Sequence, residues 1–380
     1  MTTRLLRAPA LVALLCASAA RAAAQGTIAA QGFGYPPGQL SARALGTGGS
    51  FGLLDPQSGL NPAALGAWGA PGLYVEYAPE FRRITLQGER NRSRIMRFPA
   101  ASAAVRLGGR GMLGLSATTL LDRTWATQFP DTQVFGVDTL AFISRSSSQG
   151  AINDIRLAVA WALARSFQVG VGAHAITGEN RRFLGIEPVN CPRCDSLAAP
   201  SRVSYGGVAL SAGLVWQPLR QVTLGAAGRK GGRLTTYVDD TARTRADVPD
   251  QVGLALRYEG ITGASIAASW RWDGWSRMNG LGSESVHVSD TYDLGVGVEL
   301  QGPRFAGAAL PVRAGFRWRT LPFGVDTSTV RETAFAAGVG VPLAQNRAAL
   351  DLTVQTARRD AGGLARELGW TVGVGLFIRP

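Results

Sequence analysis

Over residues 248–277, apolar and polar side chains alternate with period two on either side of a short Gly-rich turn. Val252, Leu254, Leu256 and Tyr258 share one side, with Gly253, Ala255, Arg257 and Glu259 on the other. After the turn, Ile266, Ala268, Trp270 and Trp272 stand opposite Ala267, Ser269, Arg271 and Asp273. A strand points successive side chains to opposite faces, so each run has one apolar and one polar face. Nearly every segment from Leu73 to Ile378 repeats the pattern, and no amphipathic helix is left over to cover the apolar faces. The pattern predicts an all-β chain, a transmembrane antiparallel β-barrel with lipid on its apolar side.

The connections support that reading. Long polar stretches alternate with tight turns at residues 108–111, 164–166 and 217–219. Membrane barrels combine long loops at one end, short turns at the other and an even number of strands; the count here is about fourteen. Residues 134–142 would make the number odd as a strand, so they are expected in a loop extension. The stretch holding Arg90, Arg92, Arg94 and Arg97 reads as a polar connection. Trp125, Trp161, Trp216, Trp270, Trp272, Trp275, Trp318 and Trp370 sit mostly near strand ends, where aromatic girdles belong.

Ahead of the strands, Arg4 and Arg7, an apolar run over 8–20 and an A-x-A site at 22–24 predict a signal peptide over residues 1–24. The run is too short for a membrane-spanning helix, and no other stretch is long enough. Residues 25–71 are rich in Gly, Ala and Pro, with Asp55-Pro56 and Asn61-Pro62 as turn starters. Phe51, Leu53, Leu60, Leu65 and Trp68 are too apolar for a solvated linker, so 25–71 is expected as a compact plug inside a barrel of residues 72–380.

Composition narrows the function. The chain has 380 residues, 49 Gly, 17% charged residues and a net charge of +13 carried almost wholly by Arg. Those arginines are scattered and do not form the concentrated patch that nucleic acid requires. Outer-membrane lipid, including lipopolysaccharide, is the expected anionic partner. Cys191 and Cys194 flank Pro192 and Arg193 in a polar loop, where export favours a disulfide staple. Without a second Cys pair they predict no metal site. Around His174 and His287 no nearby Ser or Cys suggests a nucleophile pair, and no nucleophile elbow occurs in a strand-turn-helix context. Neither enzyme activity nor a cofactor is expected.

With the apolar faces outward, Arg156, Arg257, Arg271, Arg313, Arg317 and Arg319 point into the lumen, as do Glu259, Asp273, Asp293, Glu299 and Asp351. The alternative would cost about 2–4 kcal/mol for each cation near the bilayer midplane. Inside, mixed charges can pair with one another, or an Arg can receive an anionic head group. Arg156, Arg257, Arg271, Arg313 and Arg317 are the substrate-binding candidates.

Two regions then look familiar. The P-D-x-x-G-L start at Pro249 and Asp250, with Trp272, Trp275 and Ser276 ending the hairpin, resembles the FadL family of outer-membrane transporters for long-chain fatty acids and other hydrophobic compounds. Residues 311–318 with Leu321-Pro322-Phe323 resemble its next block, and Asp55 with Asn61-Pro62-Ala63 its plug motif. The resemblance implies a fourteen-strand barrel with an N-terminal hatch, gated at Asp55, Asn61, Pro62 and Ala63. It also implies passive uptake from outside and sideways release into the membrane of a Gram-negative-type cell. A monomer is compatible with all of this. The alternative is a structural or partner-binding barrel without transport, akin to the secretion shuttles among the family's relatives.

Overall fold

The computed structural model describes residues 33–379, apart from 87–88, 136–137, 190–194, 240, 282–287, 306–307, 326–327, 345–346 and 363–364. The segment read as a signal peptide, His287, and the pair Cys191 and Cys194 therefore lie outside the described residues.

The strands run β1 (Gly72–Tyr77), β2 (Glu80–Leu86), β3 (Glu89–Ile95), β4 (Ala100–Leu107), β5 (Gly111–Asp122), β6 (Trp125–Phe135), β7 (Asp138–Ala164), β8 (Phe167–Pro188) and β9 (Leu197–Leu219). They continue as β10 (Val222–Val238), β11 (Thr241–Asp247), β12 (Asp250–Ile261), β13 (Ala264–Gly274), β14 (Thr291–Phe305), β15 (Ala308–Val325), β16 (Ser328–Leu343), β17 (Ala348–Asp360) and β18 (Ala365–Ile378). These segments form a closed antiparallel barrel of 14 strands. The difference in number comes from interrupted strands. β1 resumes as β2 beyond Pro79, β3 as β4 beyond Pro99, and β11 as β12 beyond Pro249. Proline has no N–H to give the ladder, so each of these strands breaks there. β5 resumes as β6 after Arg123 and Thr124. Antiparallel pairing of β1 with β18, from Leu73↔Ile378 to Tyr77↔Val374, closes the ring.

The outer face carries an apolar belt that includes Leu73, Leu115, Leu157, Val171, Leu210 and Leu254. Such a surface around a whole barrel fits hydrocarbon and not water. Two sequence expectations change. Of residues 134–142, 134–135 lie in β6 and 138–142 in β7, so they extend existing strands, and the strand number stays even. The arginine-rich stretch is likewise no loop; Arg90, Arg92 and Arg94 belong to β3, paired with β2 from Glu80↔Ile95 to Leu86↔Glu89.

Inside the ring sits the N-terminal segment. Its α1 helix (Ala42–Gly46) begins at Ser41, whose Oγ accepts from Ala44 N at 3.1 Å. A 3-10 helix (Pro62–Trp68) begins at Asn61, whose Oδ1 accepts from Ala63 N at 2.9 Å, with Pro62 in the first-turn position that tolerates it. Asp55 Oδ2 accepts from Ser41 Oγ and Ser58 Oγ, both at 2.7 Å, which ties the two helices together. Asn61 Nδ2 also donates to Leu214 O of the wall at 3.2 Å. Several wall positions need glycine for this fit, Gly315 and Gly170 among them. A Cβ on Gly315 would run into the Thr47–Gly48 peptide, and one on Gly170 into Pro62 and Ala63.

Gly315→Val should therefore unseat the segment, with an overpacking cost of about 1–3 kcal/mol or more. The expected result is a barrel that still forms but melts lower, with residues 33–71 cut by protease. An unchanged melt and cleavage pattern would contradict this packing.

Candidate functional site

The lumen is built in layers. Glu80 and Arg82 of β2, Arg319 of β15, Glu332 of β16, Arg359 of β17 and Glu367 of β18 point inward at similar height. Arg97 and Asp122 join them from the strand interruptions. At their centre lies the buried ring of Tyr35, with the guanidinium carbons of Arg359 at 4.2 Å and of Arg82, Arg97 and Arg319 each at 5.0 Å from its centroid. Tyr35 Oη donates to Glu332 Oε2 at 2.9 Å and accepts from Arg319. Arg359 donates to Glu332 Oε2 at 2.6 Å, to Glu80 Oε1 at 2.7 Å and to Glu367. Arg97 donates to Asp122 Oδ2 at 2.6 Å and to Glu80, and Arg82 donates to Glu80 Oε2 at 2.8 Å. Four cations face four carboxylates, so the cluster is neutral although buried.

Two further groups complete this layer. Asp293 takes Arg271 Nη2 at 2.7 Å and Arg317 Nε at 2.9 Å, while Arg271 Nη1 donates to Gly38 O at 3.2 Å. Asp154 takes Arg229 Nη1 and Gln39 Nε2, both at 3.0 Å, so a second residue of the N-terminal segment is held by the wall. Among the described residues, voids of about 20 and 40 Å³ lie in this layer beside Gly38 and Leu40. That is room for one to a few waters.

Two residues further along about half of the strands, towards the long loops, the inner face turns apolar. Arg82 is followed by Ile84, His174 by Ile176, Asp273 by Trp275, Arg319 by Leu321 and Arg359 by Ala361; on descending strands Ile152 precedes Asp154 and Val330 precedes Glu332. At about 3.3 Å per residue, this second ring lies roughly 6–7 Å above the charged one. Phe33, Leu121, Leu234, Met278 and Phe323 fill it from several sides. Sequence reasoning assigned a polar face to the whole inner wall and missed this ring. The signal was present as a charged residue and an apolar residue two apart on one strand face. Trp275, expected in the outer girdle, also turns inward and meets Phe33 edge-on at 6.0 Å. Just outside, Arg277 donates to Asp247 Oδ2 at 3.0 Å and Asp250 Oδ2 at 2.7 Å. The hydrogen bond to Asp247, opposed by slight burial and reinforced by the Asp250 charge, holds its pKa above the ordinary value.

At this height the hydrogen-bonded ladder of the wall is interrupted among the described residues. β4 pairs with β5 as far as Ala100↔Thr118, and the last link is Thr119 N to Pro99 O at 3.0 Å. Beyond that point, among the described residues, β3 pairs with β2 and β6 with β7, and no register joins β3 to β5 or β6. The free edge of β5 is taken by the N-terminal segment. Tyr35 N donates to Asp122 O at 2.7 Å and Asp122 N to Tyr35 O at 2.9 Å, a one-residue antiparallel bridge. Gly34 permits the approach, having φ +122 and Asp122 O only 2.7 Å from where a Cβ would stand. On the lipid side the rim carries Phe98, 76% exposed, against Tyr77 with ring centroids 5.0 Å apart.

The five candidate arginines divide. Arg271 and Arg317 meet on Asp293. Arg313 lies nearer the short turns, bonded to Glu299 Oε2 at 2.6 Å and to Asp351. It borders a recess of about 470 Å³ with Arg43, Trp68 and Phe377. Arg257 pairs with Glu259 at 3.2 Å, apart from the rest. Arg156 is buried without a carboxylate partner among the described residues and donates to Gly59 O at 3.1 Å. The expectation of no serine near His174 is corrected: His174 Nδ1 lies 2.7 Å from Asp154 Oδ1 and Nε2 lies 2.8 Å from Ser211 Oγ. The trio has the connectivity of a hydrolase relay. Its Asp154, however, also serves Arg229 and Gln39, and all three side chains are buried within the charged layer. We read it as the wall's hold on Gln39.

No protein-family model matches the chain, and no curated protein matches it. Solved structures do. A Pseudomonas aeruginosa FadL homologue aligns over 92% of this chain and 99% of its own at 16% identity and TM-score 0.60. The Ralstonia pickettii toluene transporter TbuX aligns over 90% and 98% at 15% and 0.59. The CymD monoaromatic hydrocarbon channel aligns over 93% and 99% at 13% and 0.56. The chain therefore has the fold of FadL-type channels, the architecture its motifs resemble, and these neighbours are channels and not enzymes.

Tyr35→Phe should cost only about 1–2 kcal/mol, since Arg319 and Glu332 keep each other. Tyr35→Ala removes the ring under four guanidinia and should cost about 3–5 kcal/mol. Thermal melts in detergent check the order; equal losses would mean that the ring does not organise the cluster.

Proposed function

We propose that the chain is an outer-membrane channel for passive uptake of hydrophobic or amphipathic small molecules, gated by its N-terminal segment. The observation that carries this reading is the apolar ring of the lumen, which ends at the interruption of the wall's ladder, where the free edge of β5 is held by Tyr35. A ligand from the long-loop side would enter the apolar ring and stop at the charged layer, where the voids beside Gly38 and Leu40 admit only water. Its remaining path is sideways, between β3 and β6, once the bridge from Tyr35 to Asp122 lets go. The magnitudes allow this. Two backbone hydrogen bonds are worth about 1–3 kcal/mol together, and a ligand burying about 100 Å² of apolar surface gains about 2.5 kcal/mol. The hydrophobic compounds carried by neighbours of the same fold support this reading; a fatty acid would need one of the lumen arginines for its carboxylate. In this account Asp55, Asn61, Pro62 and Ala63 keep the segment rigid, so that motion at Tyr35 is local.

A second reading has its own observation. Phe183, Leu184, Ile186 and Leu197 are exposed on the β8–β9 hairpin near the long-loop end, a surface suited to a protein partner.

A paired Tyr35→Cys and Asp122→Cys variant distinguishes the two. Directly opposed residues of a hydrogen-bonded antiparallel pair lie about 5.5 Å apart at Cα, within disulfide range. Oxidised, it should abolish uptake of labelled toluene or fatty acid into proteoliposomes; reduced, it should restore it. Uptake insensitive to oxidation would remove the gate. Absence of uptake in the unmodified protein as well would favour the partner-binding barrel.

A further inference from the structure

The outer face of β15–β18, β2 and β3 changes character with height, in the opposite sense to the lumen. Phe316, Phe335, Thr356, Trp370 and Phe81 fall in one row across the sheet, by the registers Phe316↔Phe335, Phe335↔Thr356, Thr356↔Trp370 and Trp370↔Phe81. Two residues higher the row reads Trp318, Thr333, Arg358, Leu368, Arg83 and Arg92, and the next contains Arg331, Asp360 and Arg366. With Arg94 beside Phe81, six outward arginines share this face with one carboxylate among the described side chains, Asp360. Asp360 lies 3.4 Å from Arg366 and 3.9 Å from Arg358, whereas Arg83, Arg92 and Arg331 have no acidic partner among the described residues. Across the barrel the arrangement differs: Arg181 and Arg202 share Glu179, and Arg145 holds Glu187. A groove of about 820 Å³ opens within the basic face, lined by Trp318, Phe335, Arg331, Arg358 and Asp360 with threonines between them.

We propose that this groove binds a phosphate-bearing lipid of the leaflet at the long-loop end. The inference rests on the membrane reading above. Below the groove the wall is apolar, as at Val354 and Val372, which suits acyl chains. The aromatic row stands where chain meets head group. The arginine rows stand two and four residues higher, where phosphate oxygens would lie, and guanidinium is the side chain that grips phosphate with paired hydrogen bonds. A soluble anion would use the cations alone, whereas the continuous descent from arginine through aromatic to aliphatic residues matches a lipid from head to tail.

The test uses the full chain in phosphatidylcholine nanodiscs and native mass spectrometry with added lipid A. The unmodified protein should retain lipid A against a phosphatidylcholine background. The triple variant Arg331→Gln, Arg358→Gln, Arg366→Gln should lose roughly a hundredfold in affinity, at about fivefold for each arginine near an anionic surface. Arg233→Gln, an exposed arginine on β10, should leave binding unchanged. Retention of lipid A by the triple variant would overturn the site, and so would displacement by millimolar inorganic phosphate, which would mark it as a free-phosphate site. A barrel that refuses to enter the nanodisc would instead refute the membrane reading itself.

Discussion

Tyr35 stands among four guanidinia and four carboxylates, and the rest of the lumen depends on that contact. Charges taken from water need close and complete pairing to persist. Here the pairing closes only because an aromatic ring fills the space the arginines leave and a hydroxyl links Arg319 to Glu332. The ring belongs to the N-terminal segment, so the same contact fixes that segment's height inside the barrel. It also brings the Tyr35 peptide to the free edge of β5. The charged cluster and the edge of β5 are therefore held by one residue.

Above this layer the strands invert. Lower down, apolar residues face out and charged residues in; higher up, Ile84, Leu321 and Val330 face in while Arg83 and Arg331 face out. One strand can satisfy hydrocarbon outside at one height and an apolar chamber inside at the next, because its faces are independent. The inversion gives an exterior suited to anionic head groups and an interior suited to hydrophobic cargo.

Much of the fold was legible in the sequence because lipid imposes a strict rule: an apolar face with period two, as in Val252, Leu254 and Leu256, has no other cover once helices are missing. The rhythm of long and short connections gave the strand number. Three of the four interruptions were less visible, since Pro79, Pro99 and Pro249 read equally well as loop residues, and at Arg123 and Thr124 no proline marks the fourth. The site was harder to read. Which inward arginines meet depends on register across strands far apart in sequence, as with Arg271 and Arg317 on Asp293. The key residue was the least visible. Tyr35 lies in a Gly- and Pro-rich stretch with no alternation, and nothing local marks it as the partner of Glu332, 297 positions away.

The central claim is that ligand in the apolar ring loosens the bridge between Tyr35 and Asp122. Amide hydrogen exchange at these two residues, measured with and without saturating toluene, tests it most directly. The account predicts that both amides exchange faster with ligand bound while those of β12 and β13 stay protected. Unchanged or slower exchange at Tyr35 and Asp122 would contradict it.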